Sequence, residues 1–193
     1  MINVKPYLIT LLFFTSCGLK TFKLNDGIYK AAKNPKVYKN KAKFNSSILT
    51  LIDTMAIYEE IYKISYVDKS PFTPRKKEYL YTTYPETFKG VYRFYSNGCY
   101  NLFIIKNGET DFTNQMFDSK WTGWRGVYYL DNKNKIVGDL ITRISGGGEI
   151  GIRKDILEFV KDTLFVTPFK ANTKNVYVKR KVPFEILNSK AEW

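Results

Sequence analysis

Few residue types in this 193-residue chain are placed to do chemistry, and the type that is missing decides most. There is no histidine. Ser-His-Asp and Cys-His catalysis need an imidazole to carry the proton, so both are excluded. With two cysteines in all, the usual zinc sites are excluded as well. Carboxylate, lysine or tyrosine chemistry and an oxygen-ligated hard cation stay open. Paired acids would suit glycoside hydrolysis, and the candidates are Glu59, Glu60, Asp139, Glu149, Asp155 and Glu158. Glu59 and Glu60 are adjacent, so on a strand they point to opposite faces and form no pair. The others are scattered like surface charges. Gly146-Gly147-Gly148-Glu149-Ile150-Gly151 matches G-x-G-x-x-G. A dinucleotide site would need a helix next and an acid about 20 positions on, and Thr167 to Lys170 offers none. A glycine-rich strand connection is the better reading, and neither a cofactor nor a metal is expected. Trp121, Trp124, Arg125 and Tyr128 form an aromatic–arginine cluster beside Gly123 and Gly126. Such a cluster stacks on a ring-bearing ligand or closes the end of a core. Cys99 reads as a buried, inert thiol.

The first seventeen residues set the address. Lys5 supplies a basic region, and Tyr7 to Phe14 an apolar run too short to span a bilayer, which takes about 20 residues. Small residues and a cysteine follow. Phe14-Thr15-Ser16-Cys17 resembles the bacterial lipobox, with Phe14 where Leu or a β-branched residue is usual. The resemblance implies export, removal of residues 1–16, and lipidation of Cys17. Two acyl chains suffice for stable anchoring where one is marginal. Gly18-Leu19-Lys20 lacks the acidic cluster of some surface-exported lipoproteins, which points to the periplasmic side of the cell envelope.

Residues 18–46 hold eight lysines, Lys20 to Lys43, against Asp26 alone, more than half of the chain's net charge of +13. The segment reads as a basic tether, either a solvated spacer or a strip lying on anionic headgroups, with Phe22, Tyr29, Tyr38 and Phe44 able to dip into the interface. Pro35 argues against one continuous helix. The charge also invites nucleic acid, but an exported protein meets lipids, glycans and peptides first. With Cys17 lipidated, Cys99 has no intramolecular partner.

A single domain is expected over 47–193. Aromatics make up 17% of the chain, with 15 Tyr and 14 Phe, and favour strands. A short capped helix is expected at Ser46-Ser47, a strand over Ala56–Val67, and a loop or edge segment over Lys69–Pro85. Asn97-Gly98 predicts a two-residue type I′ turn in a hairpin from Gly90 to Ile105. That turn pairs Tyr92 with Phe103 and Phe94 with Asn101. It places Tyr92, Phe94, Cys99, Phe103 and Ile105 on one uncharged, inward face. A second hairpin joins Gly126–Leu130 to Lys135–Ile144. Short strands follow at Glu149–Arg153, Ile156–Val160, Thr163–Thr167 and Val176–Val182, with a turn at Asn172–Lys174. The tail from Pro183 is a short helix or an extended cover. About nine strands spaced by turns is the pattern of a barrel or a sandwich.

Three strings carry a closer likeness: Lys89 to Gly98, Gly126-Val127-Tyr128-Tyr129 with Ile136 to Ile141, and Asp162-Thr163-Leu164. The arrangement is similar to the small lipocalin-like (calycin) barrels of bacterial lipoproteins, over roughly Asp53 to Val182. The resemblance implies an all-β, mainly antiparallel up-and-down barrel. Gly123-Trp124 lies too late for the lipocalin Gly-x-Trp signature, so a barrel is implied more than a ligand. The expected role is non-enzymatic. Either the barrel holds an apolar or amphipathic small molecule, with Tyr92, Phe94, Phe103, Trp124, Arg125 and Tyr128 as contacts, or its core is filled and the protein docks an envelope partner. A carboxylate-based hydrolase is the distant alternative. An eight-stranded barrel is either filled by side chains or just wide enough for one small ligand, so the size of the inward residues separates the first two.

Overall fold

The computed structural model describes residues 19–67, 78–83 and 87–193. Residues 1–18, where an export signal and lipidation of Cys17 are expected, lie outside the described residues. A short hairpin, β1 (Thr21–Lys23) and β2 (Lys30–Ala32), comes first. Two 3-10 stretches follow, Pro35–Lys43 and Ser46–Thr50. The remaining strands are β3 (Ala56–Val67), β4 (Glu78–Thr83), β5 (Phe88–Phe94), β6 (Cys99–Lys106), β7 (Trp124–Leu130), β8 (Ile136–Arg143), β9 (Ile150–Val160), β10 (Thr163–Pro168) and β11 (Thr173–Lys181).

All pairings are antiparallel. β3 and β5 to β11 pair in chain order, and β11 returns to β3 with a bulge between Val176 and Tyr177. The result is a closed eight-stranded barrel consistent with a lipocalin-like up-and-down topology, and closure rules out the sandwich. β4 pairs only with residues 62–67 of β3, so it is the edge strand expected between Lys69 and Pro85. The rest of that stretch lies outside the described residues. Ile150–Val160 runs as one strand where two were expected. Residues 173–174, expected in a turn, already belong to β11.

The β5–β6 hairpin departs from expectation in one decisive detail. Tyr95 N–H donates to Cys99 O at 2.9 Å, and Gly98 alone has positive φ, 81°. The loop is therefore Ser96-Asn97-Gly98, three residues with glycine in the left-handed position, not a type I′ turn. Tyr92 pairs with Leu102 and Phe94 with Tyr100. Strand side chains alternate, so one extra loop residue turns every β6 side chain to the other face. Tyr100 and Leu102 point inward. Cys99, Phe103 and Ile105, expected inward, lie on the outer face and are buried there beneath other segments.

Two such segments cover the barrel. The tail, a 3-10 turn at Phe184–Leu187 followed by extended chain, seals the outside of β5 and β6. Residues 19–46 pack on β7 and β8, which corrects the reading of a tether. Leu24, Tyr29, Ala31, Ala32 and Tyr38 are buried there. Burying one large apolar side chain gains about 1.5–3 kcal/mol. That burial fixes the backbone on the barrel, and Lys20, Lys23, Lys33, Lys36, Lys39 and Lys43 stay exposed. Phe44 lies over Gly98, where a Cβ would come within 2.7 Å of its ring, and meets Tyr128 edge-on at 5.3 Å. Asn45, rather than the serines, caps Ser46–Thr50 by accepting from Ser47 N–H at 2.9 Å.

Candidate functional site

Inside the barrel, seven rings from six strands meet: Tyr58, Tyr92, Phe94, Tyr100, Tyr128, Phe159 and Tyr177. Phe94 lies at their centre. Its ring is 5.6 Å from Tyr58, 6.0 Å from Tyr92, 5.6 Å from Tyr100 and 5.4 Å from both Tyr128 and Phe159. Tyr177 meets Tyr92 edge-on at 4.9 Å. These spacings are those of directly packed aromatic pairs. Space for Tyr100 comes from two glycines. A Cβ on Gly126 would come within 2.4 Å of its ring, and one on Gly138 within 2.7 Å of its hydroxyl.

An ion pair sits among the rings. Arg153 donates through Nε to Asp155 Oδ1 at 2.8 Å and through Nη2 to Oδ2 at 2.8 Å. Nη2 also reaches the Tyr92 hydroxyl at 3.2 Å. Asp155 is fully buried, while the Arg153 side chain is 34% exposed. Burial pushes the Asp155 carboxyl above its ordinary value, and the Arg153 guanidinium pulls it back. On a strand the i, i+2 spacing of Arg153 and Asp155 puts both on one face, but strands expected at Glu149–Arg153 and Ile156–Val160 leave Asp155 between them.

The six residues expected to contact a ligand do not form one site. Tyr92, Phe94 and Tyr128 belong to the interior cluster. Trp124 sits at the rim, its ring 5.1 Å from Tyr29. Arg125 is on the outer face, donating to Ser119 O at 2.9 Å and lying 5.1 Å from the Trp193 ring. Phe103 is also outside, 5.3 Å from Phe117. Of the acids, Glu60 and Asp155 both act on the buried Tyr92 hydroxyl from inside the barrel, and the others are turned away from it. Asp139 pairs with Lys154 and Asp155 with Gly138, so Asp139 and Asp155 occupy opposite faces of the sheet. Glu59 binds Lys89 and Arg180, whereas Glu60 accepts from Gly90 N–H at 3.0 Å. Gly146-Gly147-Gly148 turns the chain between β8 and β9, and a strand follows. Among the described residues no group of three His, Cys, Asp or Glu is placed to hold a metal ion.

An open apolar site lies at the end of the barrel where β5 begins and β6 ends. A cleft of about 470 Å³ is lined by Ile28, Tyr29, Phe88, Ile104, Met116 and Trp121, with Asp26 at its edge. Ile28 is 65% exposed, Phe88 56% and Ile104 44%. The N-terminal segment builds one wall. Asp26 N–H donates to Trp121 O at 3.2 Å, and the Tyr29 hydroxyl accepts from Ile104 N–H at 3.1 Å. Burial pushes the Tyr29 phenol up to about 12, so it stays neutral at ordinary pH. Trp121 and Tyr29 stand out in the sequence, but Phe88, Ile104 and Met116 lie 59 or more positions beyond Tyr29, and no local pattern joins them to it. Comparison with protein-family models, with curated proteins and with solved structures returns no match.

Proposed function

We propose that this chain is a lipid-anchored envelope protein, acylated on Cys17, whose filled barrel is a rigid scaffold for docking a partner rather than a container. The observation that carries the reading is the set of seven rings linked ring to ring across the barrel. An eight-stranded barrel has room for one small ligand only where its inward side chains leave it, and here large aromatics point in from six of the eight strands. The lipobox-like string Phe14 to Cys17 supports the anchor. The role is non-enzymatic on the same reading, since the two inward acids are engaged, Asp155 in a bidentate pair with Arg153 and Glu60 by Gly90 N–H.

A second reading has its own observation. The cleft beside Tyr29 and Trp121 is apolar and open, the character of a site for an amphipathic small molecule. Native mass spectrometry of the mature protein from its own host tests both. The expected mass lacks residues 1–16, carries an acyl modification, and shows no further adduct. An unmodified cysteine overturns the anchor. An adduct that persists until denaturation, and is lost in Trp121→Ala, moves the function to this cleft.

A further inference from the structure

The folding of residues 19–46 onto the barrel removes the spacer between anchor and domain. Leu19 already packs against the buried core, and Cys17 stands two positions before it. Two residues reach at most about 7 Å even when fully extended. With the acyl chains of Cys17 in a bilayer, Leu19 is held at headgroup level. We infer that the surface around Leu19, formed by the start of the N-terminal segment with the β8–β9 hairpin, is a membrane-docking face that sets the barrel flush against an anionic bilayer. This rests on acylation of Cys17, the reading proposed above, and adds the orientation of the domain and the lipid class it meets.

The chemistry of this surface suits that contact. A cleft of about 510 Å³ beside Leu19 is lined by Lys20, Val37, Ile144, Glu149 and Ile152 among others. Ile144 is 51% exposed and Ile152 48%. Single exposed apolar residues are ordinary, but these two flank the point where the chain leaves for its anchor. Ile144 is also seated. A Cβ on Gly151 would come within 2.4 Å of its Cδ1, so the glycine leaves the space across which Ile144 lies. Lys20, Lys33 and Lys36 are exposed around the same edge. Lys33 N–H donates to Lys20 O at 2.9 Å, and Lys36 N–H to the Asn34 side chain at 2.9 Å, which fixes their backbones. Apolar side chains at headgroup depth with lysines around them are the elements of interfacial binding. Glu149 is the one acid lining the cleft and opposes it.

The test uses the full mature protein in vesicles of phosphatidylcholine and phosphatidylglycerol. A polarity-sensitive fluorophore is placed through Ile144→Cys or, in a separate protein, through Asn134→Cys at the other end of β8, with Cys99→Ala in both. A blue shift and loss of quenching by aqueous iodide are expected at position 144 and neither at position 134. Equal quenching at the two positions in an acylated protein overturns the docking face and leaves the anchor standing. A protein whose intact mass lacks the acyl group overturns the anchor, and the inference with it. In pure phosphatidylcholine part of the shielding should disappear. Unchanged shielding there overturns the anionic part of the inference.

Discussion

Arg153 inside the barrel and Arg93 on its outer face meet the same demand in different ways. Each keeps a guanidinium among packed side chains. Arg153 is answered by a carboxylate two residues along its own strand, in a bidentate pair that cancels the charge locally. Arg93 is 3% exposed, and its hydrogen bonds go to no acid. It donates to Phe117 O at 2.9 Å, to Ser189 Oγ at 2.7 Å, to Ser189 O at 2.9 Å and to Leu187 O, and it lies 4.5 Å from the Tyr95 ring. Burial lowers its affinity for a proton. The inner arginine is a local device on one strand. The outer one gathers backbone carbonyls from two irregular segments, 24 to 96 positions away in sequence. It holds the tail to the barrel where no repeating strand pattern does.

Base should erase the distinction altogether, and this is the largest expected effect. The outer-layer phenols Tyr29, Tyr38 and Tyr95 are pushed up to about 12 by burial, and the interior Tyr92, Tyr100 and Tyr177 further still. A folded value above the ordinary 10.0 means that the stabilisation is complete below pH 10 and is lost as pH climbs through the folded value. Unfolding is therefore expected on raising the pH from 10 towards 12. Tyrosinate absorbance should appear together with loss of the β-sheet circular dichroism. Gradual ionisation of every tyrosine with the sheet intact would mean that the barrel is wet inside.

Next in size is Arg153→Met, which strands the fully buried Asp155. Breaking a buried pair in this way costs about 3–5 kcal/mol. The loss should shrink as pH falls, because a carboxyl whose folded pKa is raised favours the fold when protonated. Urea unfolding at neutral and acid pH measures both effects. Adding Asp155→Leu should recover most of the stability at neutral pH, since an apolar pair of similar volume is often neutral or better. If the single variant costs nothing, the pair is not part of the core.

Arg93→Met should cost less, about 2–3 kcal/mol, the scale of hydrogen bonds to a charged donor. The tail can lift away and let its carbonyls find water, which limits the loss. Hydrogen exchange should then speed up over residues 187–193 and stay unchanged in β7 to β10. A uniform increase across all strands would show that the two regions are one cooperative unit.

Legibility divides along the same line. Strand content, the long β3, the second hairpin and the closed-barrel class follow from alternation and turn residues, which are local. Asn97-Gly98 marked a turn correctly but not its length. The three-residue loop is held from a distance: Phe44 lies over Gly98, and the Tyr128 hydroxyl donates to Tyr95 O at 2.6 Å. That single residue decided the face of every side chain in β6 and moved Phe103 away from Tyr92. The segment from Leu19 to Phe44 reads as a tether because lysines dominate its composition. Tyr29 and Tyr38, which fix its place, find their ring partners far along the chain, at Trp124 and Trp193.

The strap across the outer face turns Cys99 into a clock. Its thiol is fully buried, and Sγ lies 3.5 Å from the carbonyl oxygen of Trp193. Burial also raises its pKa, so the unreactive protonated form is favoured while the strap is down. A water-borne thiol reagent must wait for the tail to open. Its labelling rate then reports the free energy of that one movement, separately from the free energy of unfolding the barrel.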